Sequence, residues 1–134
     1  MPFDIGRGFF EGVCAPSYAT AISATHPHPE NLKLGEQPNI WMKVSYFPEA
    51  APDDEKYPHP TSKQRFRELY EHIGPDKMIW GSNYPPVLRA CTYPQAVTFI
   101  SEECDFLNQA DRKAIFAGNF IRYIKQAGGR DLFK

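Results

Sequence analysis

An α/β fold with parallel strands is what the order of patterns along this chain predicts. Two short β-rich runs, residues 39–45 and 77–82, are each followed by a loop and then by stretches of helical periodicity. A strand–loop–helix–strand–loop–helix order implies parallel strands, because a crossover through a helix returns the chain to the end of the sheet it left. Both faces of the first run carry bulk, as expected when one side meets helices and the other an enclosed interior.

Residues 1–38 are broken by Gly6, Gly8, Gly12 and Pro16. Within them, residues 17–24 are predicted as a short helix capped by Ser17, and residues 30–36 as another after Pro29. The run Asn39-Ile40-Trp41-Met42-Lys43-Val44-Ser45 is a strand: short, β-rich and preceded by Pro38. Alternation puts Ile40, Met42 and Val44 on one face and Trp41, Lys43 and Ser45 on the other. Residues 46–61, with Pro48, Pro52, Pro58 and Pro60, form a long loop leaving the C-terminal end of that strand. Loops of this length are more often functional than mere connectors. A helix follows over residues 62–73, capped by Thr61 or Ser62, with Phe66, Leu69, Tyr70 and Ile73 in one stripe and a stop at Gly74-Pro75. The second strand is Lys77-Met78-Ile79-Trp80-Gly81-Ser82, followed by a loop over 83–91. Thr92-Tyr93-Pro94-Gln95 has capping-box spacing with proline in the first turn, so a helix runs from 93 to 104. Further helices cover 109–117, ended near Gly118, and 119–126, stopped by Gly128-Gly129.

Composition bounds the function. The 134 residues suffice for one domain, and 42% apolar with 23% charged residues is ordinary for a soluble globular protein. A net charge of −1, with no basic stripe, argues against a nucleic-acid partner. Cys14, Cys91 and Cys104 are odd in number and widely spaced, which argues against a disulfide scaffold or zinc ribbon and suits a reducing cytosol. No apolar run is long enough to cross a membrane, and the N-terminus lacks the pattern of a signal peptide. A cytoplasmic location follows as an expectation.

Two runs carry a resemblance. Pro38-Asn39-Ile40-Trp41-Met42-Lys43-Val44-Ser45 resembles the seventh strand of the amidohydrolase-related family, the decarboxylase- and lactonase-like enzymes. Gly74-Pro75-Asp76-Lys77-Met78-Ile79-Trp80-Gly81-Ser82-Asn83-Tyr84-Pro85 resembles the family's eighth strand more closely still. The tail around Arg112, Ile115, Asn119 and Tyr123 resembles its closing helix. The likeness covers residues 30–125; residues 1–29 match poorly, and Asp4-Ile5-Gly6-Arg7 resembles the sixth strand only without that strand's histidine. The resemblance implies a partial TIM-type (β/α) barrel: the last two or three βα units with C-terminal helices, against about 250 residues for a whole barrel.

It also implies a chemistry. In the family, a divalent metal such as zinc activates a water for attack on esters, lactones or amides, or assists non-oxidative decarboxylation. The metal is held by a His-x-His pair on the first strand, by histidines of middle strands and by an aspartate at the end of the eighth. Asn83 stands at the position of that aspartate. An amide oxygen is a weak ligand and almost no base, and loss of a general base costs about 10²–10⁴ in rate. The chain alone is therefore expected to be inactive and to carry no metal ligands of its own.

Other residues are candidates beside it. Lys43 and Ser45 share the Trp41 face and are candidates to position polar substrate groups, as are Tyr84 beside Asn83 and His59 in the proline-rich loop. The bland alternatives are a polar strand end for the first two and a surface histidine for His59. Trp80 reads as core. His26-Pro27-His28 has the spacing of the first-strand pair but sits in a proline-interrupted loop, and reads as exposed surface. His72 lies near a helix C-terminus, where a protonated ring is favourable. Cys91 and Cys104 lack a neighbouring histidine and read as unreactive. Two further expectations remain open: a homo-oligomer or complementing chain that completes the barrel, and a non-catalytic module that binds a small molecule.

Overall fold

The computed structural model of the protein describes residues 20–23, 29–45 and 47–128. Three parallel strands form one sheet in the order β1 (Thr20–Ser23), β2 (Ile40–Val44), β3 (Met78–Trp80). The register pairs Ile22 with Met42 and Met42 with Met78. Helix α1 (Pro29–Gly35) joins β1 to β2, and α2 (Pro60–Ile73) joins β2 to β3. After β3 come α3 (Tyr93–Thr98), α4 (Gln109–Lys113) and α5 (Asn119–Gln126). The α/β expectation with parallel strands is thus met.

β1 corrects the sequence reading, which expected a helix over 17–24. Thr20-Ala21-Ile22-Ser23 is instead the outer strand, held by its parallel register on β2. Four residues are too few for helix propensity to outweigh pairing with a sheet edge. The remaining residues of that prediction, with Asp4–Arg7, Cys14, His26-Pro27-His28 and Gly129, lie outside the described residues.

The face assignment of β2 holds. Ile40, Met42 and Val44 are fully buried with Met78 of β3, Phe66 and Leu69 of α2, and Phe99, Ile100 and Ile115 from the C-terminal helices. Each such side chain contributes about 1.5–3 kcal/mol on leaving water. Phe47 joins this core from the loop after β2, stacking at 5.2 Å on Phe66.

Helix α2 starts one turn edge earlier than expected and without a side-chain cap. Its N-cap is His59, in a left-handed conformation with φ 53°, and Pro60 opens the first turn. Neither Thr61 nor Ser62 caps it: the Thr61 N–H and hydroxyl both donate to Glu55, and the buried Ser62 hydroxyl has no partner. The capping box of α3 is present as predicted, with Thr92 and Gln95 each accepting from the other's backbone N–H. Helix α3 continues through a π-helical segment, Phe99–Glu103. The break expected near Gly118 does not occur. A second π-helical segment, Ala114–Gly118, carries α4 directly into α5, and Gly118 itself is right-handed at φ −57°.

Helix α5 does more than flank the sheet. Fully buried Asn119 donates from Nδ2 to the carbonyls of Pro75 (2.6 Å) and Met78 (2.7 Å), where β3 begins. Arg122 donates to Asp76 O and lies 5.5 Å over the Trp41 ring, and Trp41 Nε1 donates to Gln126 Oε1 at 2.9 Å. The helix therefore passes beneath the N-terminal ends of β3 and β2 and covers Trp41 on the face opposite the main core. Among the described residues no helix is long and apolar enough to cross a membrane.

Candidate functional site

Parallel strands send their C-terminal ends to one edge of the sheet, so the segments after β2 and β3 meet there. From β2 this edge receives Lys43, Ser45 and the loop with Glu49; from β3 it receives Gly81, Ser82, Asn83 and the 83–91 segment.

Gly81 makes the approach possible. A Cβ at this position would lie 3.0 Å from Ser45 Cβ and 3.4 Å from Lys43 Cε. Lys43 is exposed, whereas Ser45 is buried. The two predicted polar residues therefore do come together, over the glycine where β3 ends.

β3 ends at Trp80, two residues short of the predicted strand end at Ser82, so Asn83 lies in the turn beyond it. Its backbone is left-handed, φ 51°, a conformation asparagine adopts more readily than most residues. That turn aims the side chain at the β2 loop, where Nδ2 donates to Glu49 Oε2 at 2.6 Å. Burial holds the Glu49 carboxyl above the ordinary carboxylate range, against the opposing pull of the Asn83 hydrogen bond and the Arg89 charge.

Tyr84 is 62% exposed and meets Tyr93 edge-on at 6.4 Å, at the rim of this edge. Ser82 Oγ accepts from the Tyr84 N–H. His59 corrects the expectation of a surface histidine. It is 2% exposed, its Nε2 pairs with Ala90 O at 3.1 Å, and its Nδ1 is buried without a partner. It ties the loop after β2 to the segment after β3 from within. Tyr57 lies edge-on to it at 6.0 Å and packs on the small apolar cluster of Val87, Cys91 and Ala96.

The remaining candidates fall where their structural readings put them. Trp80 packs on Phe116 at 5.2 Å. His72, exposed, faces Glu36 at 3.1 Å, an ion pair of small worth at the surface. Burial raises both thiols, Cys91 with the Glu49 charge adding to it, and Cys104 up to about 12. Neither is a poised nucleophile. An apolar groove lies along Trp80, Phe116, Ala117, Phe120 and Ile121, and no described residue of the 46–61 loop lines it.

Sequence reasoning missed Glu49 and Arg89. Glu49 sits between Pro48 and Ala50 in a loop with several other acids, and no spacing marks it out. Among the described residues, no three His, Cys, Asp or Glu side chains gather as a metal ion would require.

The chain matches one family model and at least three solved structures. A family model described as amidohydrolase matches residues 26–122. The solved structure of an amidohydrolase from Burkholderia multivorans with bound zinc aligns with TM-score 0.65 at 18% identity, over 81% of this chain and 44% of that one. The same enzyme with bound HEPES aligns with TM-score 0.65 at 15% identity, over 84% and 45%. Amidohydrolase 2 from Bifidobacterium longum subsp. infantis aligns with TM-score 0.55 at 19% identity, over 83% and 41%. At these identities the likeness is one of fold, and the chain spans less than half the length of those structures. No curated protein sequence matches.

Proposed function

The chain belongs to the amidohydrolase family, and from that premise we propose that it forms an arc of a (β/α) barrel whose strand-end edge is of hydrolase type but does not catalyse metal-dependent hydrolysis by itself. The family's chemistry would be attack of a metal-activated water on an ester, lactone or amide, or non-oxidative decarboxylation. One observation carries the reading: position 83 holds an amide whose nitrogen is committed to Glu49. A zinc ion is bound in the Burkholderia structure. The described residues of this chain do not fit such an ion, since no three suitable side chains gather and Asn83 turns a donor, not a ligand, toward its acidic neighbour.

Kinetic assays with zinc or manganese, on esters, lactones and aromatic carboxylates, test this. Adding zinc or manganese is expected to leave the rate unchanged. Asn83→Asp alone should not raise it, because one carboxylate is not a ligand set. Metal-dependent turnover by the wild-type chain overturns the reading.

A second reading is favoured by the sheet. Among the described residues β1 and β3 each pair on one edge alone, and open strand edges invite association. In that reading a partner chain or a second copy completes the barrel and the enzyme. Mass measurement in solution separates the two: a soluble strict monomer removes the second.

A further inference from the structure

The edge formed by the ends of β2 and β3 has a carboxylate, but it stands on the β2 side. We propose that Glu49 is the proton-accepting group of this edge and that Asn83 is the residue that positions it. The proposal rests on the hydrolase-type reading of the edge for its chemistry, and on the structure for its geometry.

Three observations support it. The Asn83 amide donates to Glu49 Oε2 at 2.6 Å, and the left-handed turn at φ 51° is what brings it there. A second carboxylate at 83 would face Glu49 across that short gap, and two such groups do not both ionise readily. An amide beside Glu49 lets one full negative charge stand alone. Among the described residues, the charged and titratable groups that act on Glu49 or feel its charge are Arg89, which favours the ionised form, and the Cys91 thiol, whose ionisation the Glu49 charge opposes. Half-burial raises the carboxyl, which makes its anion a better base than a surface glutamate. The Asn83 bond falls on Oε2, which leaves Oε1 to take the donor.

The donor is a water or a hydroxyl brought to the edge. When that water attacks an acyl carbon, its oxygen forms the new bond as its O–H breaks, and the proton goes to Glu49. The proton then passes to the departing alkoxide or amine as the C–O or C–N bond breaks. Water and the acyl compound are the only reactants. Lys43 and Ser45, over Gly81, lie on the same edge and are placed to hold polar groups of such a compound.

The test uses the whole chain with carboxyl-labelled glutamate, followed by NMR from acid to neutral pH, with the Glu49 signal assigned by its loss in Glu49→Gln. The Glu49 midpoint is expected above those of the surface glutamates. It should move further up in Asn83→Gly, which keeps the left-handed turn and removes the donor. In parallel, Asn83→Asp should lower the melting temperature at pH 7 by several degrees. The exchange Glu49→Gln with Asn83→Asp should restore it, because the glutamine amide then donates to the aspartate. A Glu49 midpoint among the surface glutamates, indifference to Asn83→Gly, or an exchange variant no more stable than Asn83→Asp overturns the proposal. Metal-dependent turnover by the wild-type chain would sink the functional reading while leaving these titrations unchanged, so the two failures are distinguishable.

Discussion

Tyr57 turns its hydroxyl into the interior between the loop after β2 and the segment after β3, where no partner stands in hydrogen-bonding geometry though Glu103 is close enough to act on it. Burial first, and then the neighbouring Glu103, Cys91 and Glu102, push its ionisation from 10 up to about 12. The folded state thus holds the phenolic proton more tightly than the unfolded chain does. Its contribution is fully present below pH 10 and is lost as pH rises through 12. Cys104, held up to about 12 by burial, loses its contribution in an overlapping range. Tyr57→Phe should therefore flatten, without abolishing, the alkaline fall in melting temperature, and should leave the neutral-pH value unchanged or slightly higher. Melting curves from pH 8 to 12 check this; an alkaline limb identical to wild type would refute it. His59 belongs to the same buried seam, and its burial could not be read from the sequence. A histidine in a proline-rich loop reads as exposed until the fold brings Ala90 against it.

At the scale of elements, helix amphipathicity and the cap of α3 were legible, while the cap of α2 and the connectivity were less so. The stripe Phe66, Leu69, Tyr70, Ile73 and the Thr92–Gln95 box both act as their spacing predicts. The start of α2 and the continuity of α4 into α5 were not legible, because Pro60 and the π-helical turn at Ala114–Gly118 override weak local preferences. Asn119 shows what α5 contributes. Its side chain satisfies two carbonyls at the start of β3 and accepts from Arg122 at 2.5 Å. Asn119→Ala should destabilise the protein by about 2–3 kcal/mol, the cost of orphaning buried backbone acceptors. Asn119→Asp, equal in size, should be at least as damaging, since it sets a carboxylate oxygen against two carbonyl oxygens. Urea unfolding of the three proteins gives the order directly, and a loss under half a kilocalorie for Asn119→Ala would show that α5 is only loosely attached.

For the whole molecule, one core on the helix side of the sheet holds β2, β3, α2 and the C-terminal helices together. Phe66 is at its centre, fully buried between Phe47 at 5.2 Å and Phe106 at 5.7 Å. Phe66→Ala should cost about 3–5 kcal/mol, a large share of the 5–15 kcal/mol typical of a domain. The exposed pair Lys63–Asp105, 2.9 Å apart, provides the contrast: Lys63→Ala should cost less than about 1 kcal/mol. Denaturant curves with matched slopes would show both effects. The opposite face is covered differently, with Trp41 sheltered by α5 while Lys43 remains exposed.

The sequence by itself determined the class of fold, β2 with its buried face, the place of β3, the helices from α2 onward, and the family, because periodicity and the Trp80–Pro85 run are local properties of the chain. Only the tertiary structure decided that Thr20–Ser23 is a strand, that His59 is buried, and that Asn83 points its amide at Glu49. Each of these depends on contacts between residues distant in sequence, and no local pattern records which distant groups the packed chain will bring within hydrogen-bond reach.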